Sequence, residues 1–139
     1  MSGTPVPWED KCWGQVQHIF YNKHAGISHL QVNQGFRCSI HKHHERVNMF
    51  CVHSGLLVVE FWTDLSSVSV IDLVKPGEVY EVGVDCWHRF RVYRSGTVTE
   101  IYYPTNGGEV RFEDIERLDE GGIDNIEELK FTLEKIKGI

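Results

Sequence analysis

The stretch Gly35–Gly55, GFRCSIHKHHERVNMFCVHSG, decides how this chain is read. Three of its eight histidines crowd into His41-Lys42-His43-His44. On a strand, side chains two positions apart share a face, so His41 and His43 project together. His44 points to the other face or into the loop that follows. Two imidazoles side by side on an inner face need a partner. A divalent transition metal is one, because neutral imidazole ligates such ions readily. An exposed His-x-His on an edge strand binds nothing, so the pair alone leaves both readings open. Gly35 stands where a turn would launch the strand, and Gly55 closes a turn after the next apolar run.

Further along, Pro76-Gly77, Gly83 and His88 supply a turn, a short strand, a second turn and another histidine heading an aromatic strand. The rest of the chain has the same texture. Gly and Pro recur at short intervals, and the stretches between them are rich in Val, Ile, Phe, Tyr and Trp. Strands are expected near Gln15–Tyr21, Ile27–Val32, Phe36–His41, Asn48–His53, Leu56–Trp62, Val68–Leu73, Val79–Val82, Trp87–Tyr93 and Thr97–Tyr103. Many short strands with closely spaced turn signals predict an all-β sandwich or barrel. No helical pattern interrupts them, which excludes a βαβ parallel sheet. The tail differs. In Asp124–Lys137 the apolar residues Ile126, Leu129, Leu133 and Ile136 recur at helical spacing. Asp124 is the expected cap, with Glu127 at the capping-box position. The apolar stripe is expected on the outside of the barrel or on a second subunit.

Composition sets the bounds. At 139 residues the chain suffices for one domain, and no repeat or linker divides it. Lys and Arg number 14 against 20 Asp and Glu, a net charge of −6, which argues against nucleic acid as a partner. No apolar run approaches the roughly 20 residues of a membrane span. The opening MSGTPVPWEDKCWG has neither the basic end nor the apolar core of a signal peptide, so a soluble cytoplasmic protein is expected. Cys12, Cys38, Cys51 and Cys86 form no CxxC pair, and reduced thiols acting as small hydrophobes are the expectation.

With these segments in place, the chain resembles a cupin. The first motif of that superfamily runs Gly, five residues, His-x-His, three or four residues, Glu, six residues, Gly. Here it reads Gly35, FRCSI, His41-Lys-His43, HERV, Asn48, MFCVHS, Gly55, with Asn48 in the place of the Glu. The second motif reads Gly77, EVYEV, Gly83-Val-Asp85, CW, His88, RFR, Val92. The histidine is kept, while Gly83, Asp85 and Val92 replace the usual Pro, Gly and Asn. More narrowly, Trp13-Gly14, the HHER stretch and Glu113-Asp-Ile-Glu-Arg-Leu-Asp119 are similar to the cupin module of type II mannose-6-phosphate isomerases.

The resemblance implies a single cupin domain over 1–139. Its double-stranded β-helix, a jelly-roll barrel, would span about 13–122, and the C-terminal α-helix about 124–137. It also implies one divalent metal ion per chain (zinc, nickel, iron or manganese), held by His41, His43 and His88, with Asn48 at the fourth position. Losing the carboxylate leaves the ion more charge, which favours an anionic ligand. Glu45 is expected in the turn between strands. Arg46, Phe50, Glu60, Trp62, Tyr80, Phe90 and Tyr102 are the candidate pocket residues. His44 and Arg46 read either as a polar rim for an anion or as a solvated turn. A homodimer is expected, since barrels of this size pair within the family. Three functions stay open: a metal-dependent isomerase or epimerase of a sugar phosphate or related small polar molecule, a three-histidine non-haem iron oxygenase, and a non-catalytic small-molecule-binding cupin. No general acid or base announces itself.

Overall fold

The structure is a computed structural model and describes residues 2–105 and 107–137, with the side chains of residues 136 and 137 also left aside. In chain order its elements are β1 (Glu9–Lys11), β2 (Gly14–Asn22), β3 (Ala25–Val32), β4 (Phe36–Arg37), β5 (His41–Lys42), β6 (Arg46–Val52) and β7 (Leu56–Trp62). They continue with β8 (Val70–Val74), β9 (Val79–Val82), β10 (Trp87–Arg94), β11 (Gly96–Pro104), β12 (Glu116–Arg117), β13 (Gly122–Ile123) and the helix α1 (Ile126–Lys137). Every strand pairing is antiparallel. One sheet runs β1-β2-β3-β11-β6-β9; the other is built on β10, which pairs β7 along one edge and β4 and β5 along the other. This is the all-β architecture with one C-terminal helix that the strand spacing predicts.

The two sheets face each other across a core of Val16, Leu30, Val32, Cys38, Phe50, Val52, Leu57, Val59, Val74, Val82, Phe90, Val92 and Val98. On β10 the buried side chains His88, Phe90 and Val92 alternate with residues of the outer face. Alternation of this kind is what aims His88 into the barrel.

The expected strand Phe36–His41 is broken. Between β4 and β5 the Ile40 amide donates to the Asp119 carboxylate at 2.7 Å, and Phe90 N–H donates to Cys38 Sγ at 3.2 Å. The ladder to β10 therefore resumes only at His41, opposite His88. At Gly55 the β6–β7 turn takes φ +81°, and a Cβ there would sit 2.6 Å from the Arg94 and Ser95 carbonyl oxygens. Asp85, where the second motif usually has Gly, keeps a left-handed φ of 55°. Asp is among the few residues that tolerate this region. Its N–H donates to the His43 oxygen at 2.7 Å.

The helix packs on the outside of the barrel. Leu129 and Leu133 are buried against Val58, Ile71, Leu73 and Tyr93 on the outer face of the β7–β8–β10 sheet; the side chain of Ile136 lies outside the described residues. The cap is not Asp124. Asn125 Oδ1 accepts the Glu128 N–H at 3.0 Å, so Asn125 caps and Glu128, not Glu127, occupies the third helical position. Asp124 is drawn away because Arg91 grips its carboxylate twice, at 2.7 and 2.8 Å. All four cysteines are free. No helix among the described residues is long and apolar enough to cross a membrane.

Candidate metal centre

His41 and His88 are direct cross-strand partners on β5 and β10, and their rings lie 4.4 Å apart between centroids. His43 follows β5 on the same inner face, 5.0 Å from His41 and 5.6 Å from His88. One nitrogen from each ring can be chosen so that all three lie within 4.8 Å of one another. All three residues are buried.

Each ring is locked by its other nitrogen. His41 Nδ1 donates to the Ser39 carbonyl at 2.7 Å, His43 Nδ1 to the Asp114 carbonyl at 2.7 Å, and His88 Nδ1 to the Cys86 carbonyl at 2.8 Å. A carbonyl oxygen can only accept, so the proton sits on Nδ1 and the Nε2 lone pair is free. The Nε2 atoms of His43 and His88 are buried with no hydrogen-bond partner. Burial holds the rings neutral. Desolvation is the largest cause pushing His41 well below the ordinary histidine value, His43 to about 3 and His88 to about 4. The charge of Arg46 adds to the depression of both His43 and His88. Three neutral, oriented imidazoles, two of them with buried and unpartnered Nε2 atoms, suit a transition-metal ion, and carbonyl-anchored Nδ1 atoms are the usual outer support of such ligands.

Asn48 is 1% exposed on β6. Its Nδ2 donates to Glu100 at 3.4 Å, and its Oδ1 is buried without a partner. Glu100, on β11, escaped the sequence reading. The signal was present: in Thr97-Val98-Thr99-Glu100-Ile101-Tyr102 the inward Val98 and Tyr102 place Glu100 on the same face. Burial raises its carboxyl above the usual value, against hydrogen bonds from Tyr102 and Asn48 and the charge of Arg46.

A cavity of about 840 Å³ reaches the cluster at His41 and is walled also by Arg46, Glu100, Tyr102, Phe90 and Trp13. Among the candidate pocket residues, Arg46, Phe90 and Tyr102 reach it. Phe50 and Tyr80 belong to the core, Phe50 packing edge-on to Phe90 and Tyr80 donating to Asp72 at 2.7 Å. Glu60 and Trp62 are corrections. They alternate with the inward Val59 and Phe61, and so lie on the outer face of β7. There Glu60 accepts from Arg89 at 2.6 Å and from Ser69 at 2.7 Å, and Arg89 lies over Trp62. Arg46 is no solvated turn residue: it is 4% exposed, with its guanidinium 3.9 Å from the centre of the Tyr102 ring. His44 is the exposed one, held by Asp85 at 2.7 Å and Glu116 at 3.2 Å. Glu45 sits in the bend between β5 and β6, facing Arg111 at 3.9 Å.

No family model matches the sequence, and no curated protein matches it. Solved structures do. Oxalate decarboxylase from Bacillus subtilis superposes with a TM-score of 0.67 at 13% identity, over 81% of this chain and 30% of that one. The capsular polysaccharide assembling protein CapF from Staphylococcus aureus gives 0.69 at 17% identity, over 84% of this chain and 32% of that one. The chain thus spans about a third of the length of these neighbours. At such identities the likeness shows the fold alone, the cupin jelly-roll.

Proposed function

We propose that this cupin-fold chain is a metal-dependent isomerase or epimerase of a sugar phosphate or related small polar molecule. The observation that carries the proposal is the trio of buried, neutral imidazoles, one nitrogen of each within 4.8 Å of the others. His41, His43 and His88 would hold one divalent transition-metal ion, with the unpartnered Oδ1 of Asn48 available as a fourth donor. When bound, such an ion supplies Lewis acidity that polarises a carbonyl or hydroxyl oxygen.

The rest is the work of the chain's own side chains. Trp13, Phe90 and Tyr102 give the cavity an aromatic wall. Glu100 Oε2, beside Asn48 Nδ2, is a carboxylate lining this cavity that can hold or move a proton. Support for a carbohydrate substrate comes from the likeness to type II mannose-6-phosphate isomerase modules in the WG, HHER and EDIERLD stretches. A neighbour named for capsular polysaccharide assembly points the same way. A homodimer belongs to the same proposal and is read by sedimentation.

Full-length protein loaded in turn with zinc, nickel, iron and manganese is incubated with mannose 6-phosphate or fructose 6-phosphate. Metal-dependent interconversion is expected. No turnover with any of the four ions contradicts the isomerase reading.

A further inference from the structure

Arg46 is a buried cation with no carboxylate in direct contact, although its charge acts at longer range on Glu100 and Asp114. It is 4% exposed, and among the described residues no carboxylate lies within 4.0 Å of its guanidinium, although Arg37, Arg89, Arg91 and Arg111 each have one. Its Nη1 donates to the Arg111 carbonyl oxygen at 2.6 Å, while its Nε is buried with no partner. A guanidinium taken out of water and left half-satisfied is costly, and its planar fork is shaped for a carboxylate or phosphate.

The surroundings fix where such a group would sit. Arg46 lies over the face of Tyr102, and His43 meets the same ring edge-on with centroids 5.4 Å apart. Both Arg46 and Tyr102 wall the cavity, as does His41 of the cluster. The cation and one of the candidate metal ligands therefore pack on the same aromatic ring.

We propose that Arg46 is the anion-binding residue of this cavity, taking the carboxylate or phosphate group of a small ligand whose other end lies toward the histidine cluster at His41. The inference rests on the cavity being the ligand site. It does not require the metal to be bound, which is how the two are tested apart. The oxyanion is the shared chemistry; a hydroxy acid and a phosphate ester are its two sources.

The test uses full-length, chelator-treated protein titrated with inorganic phosphate or with glycolate, against chloride at matched ionic strength. Melting temperature and the Arg46 Nε–H nitrogen resonance, assigned by its loss in Arg46→Lys, are followed together. A saturable rise in melting temperature with either probe, accompanied by movement of that resonance, is expected. Phosphate alone acting identifies a phosphate ester, and glycolate alone a carboxylic acid. Arg46→Gln, checked for native circular dichroism, should weaken binding about tenfold or more. The proposal is overturned if neither probe acts beyond chloride, if the wild-type resonance stays fixed, or if folded Arg46→Gln binds unchanged. A metal-free protein that binds the anion while taking up no metal would sink the metal reading and leave this one standing.

Discussion

The main-chain oxygen of Asp114 accepts the His43 Nδ1 proton at 2.7 Å across a separation of 71 residues. The Asp114 carboxylate meanwhile accepts the amides of His44 and Glu45 at 2.8 and 2.9 Å. A segment that closes the chain's last turns before the helix thus clamps the loop carrying a candidate ligand. The late acidic stretch of the sequence acquires a physical reason: it orients a histidine.

Asp114→Ala keeps the carbonyl but removes the acceptor of two amide hydrogen bonds. The loop should loosen and metal affinity fall about 10–100-fold, as when outer supports of metal ligands are lost. Competition with a chromophoric chelator measures this. Unchanged affinity would mean that the clamp does not position His43.

In the metal-free protein the histidine cluster sets a pH dependence with a definite sign. Unfolded histidines take up protons below about 6.5. In the folded chain His88 does so only at about 4 and His43 at about 3, because burial disfavours the charged rings. The unfolded state therefore binds more protons in between. Stability is whole above about pH 6.5 and declines as pH falls toward the folded values. Urea unfolding at pH 8, 6 and 5 should show the decline, and His88→Asn should flatten it. A flat wild-type profile would contradict neutral, buried rings.

Arg91 ties the helix to the barrel through its two bonds to Asp124, with Arg37 3.6 Å from the same carboxylate. Burial pushes the Asp124 carboxyl up, and the Arg91 hydrogen bonds and charge outweigh it, so the group ends below its ordinary value. This contribution is full above about pH 4 and is lost as pH falls through the lower folded value. Arg91→Ala leaves a buried carboxylate short of its partner and should cost about 3 kcal/mol. Denaturant unfolding reads the cost, and the loss should be largest at neutral pH. A change under about 0.5 kcal/mol, the range of an ordinary surface substitution, would remove the pair from the account of helix docking.

How much of this was legible in the sequence depended on which faces are covered. The motif resemblance placed His41, His43 and His88 together, and the turns at Gly35, Gly55 and Asp85, all with positive φ, fix where each strand begins. Glu60 and Trp62 were unreadable for the opposite reason. The run Leu56-Leu57-Val58-Val59 has no alternation, since Val59 faces the barrel core and Val58 faces the helix, and both are fully buried. A strand covered on both sides gives no sign of its facing. Arg46 reads either as a pocket residue or as a solvated one because its turn is polar in sequence; the Arg111 carbonyl that meets it comes from 65 residues away. Helix α1 was plain from its periodicity. Its cap was not, because only the tertiary pull of Arg91 moves Asp124 off that role.

The central claim is that His41, His43 and His88 form one metal site. Metal content by elemental analysis of untagged protein, beside His88→Ala prepared identically, tests it most directly. The account predicts close to one divalent transition-metal ion per wild-type chain and its loss in the variant. Substoichiometric metal that His88→Ala leaves unchanged would contradict it.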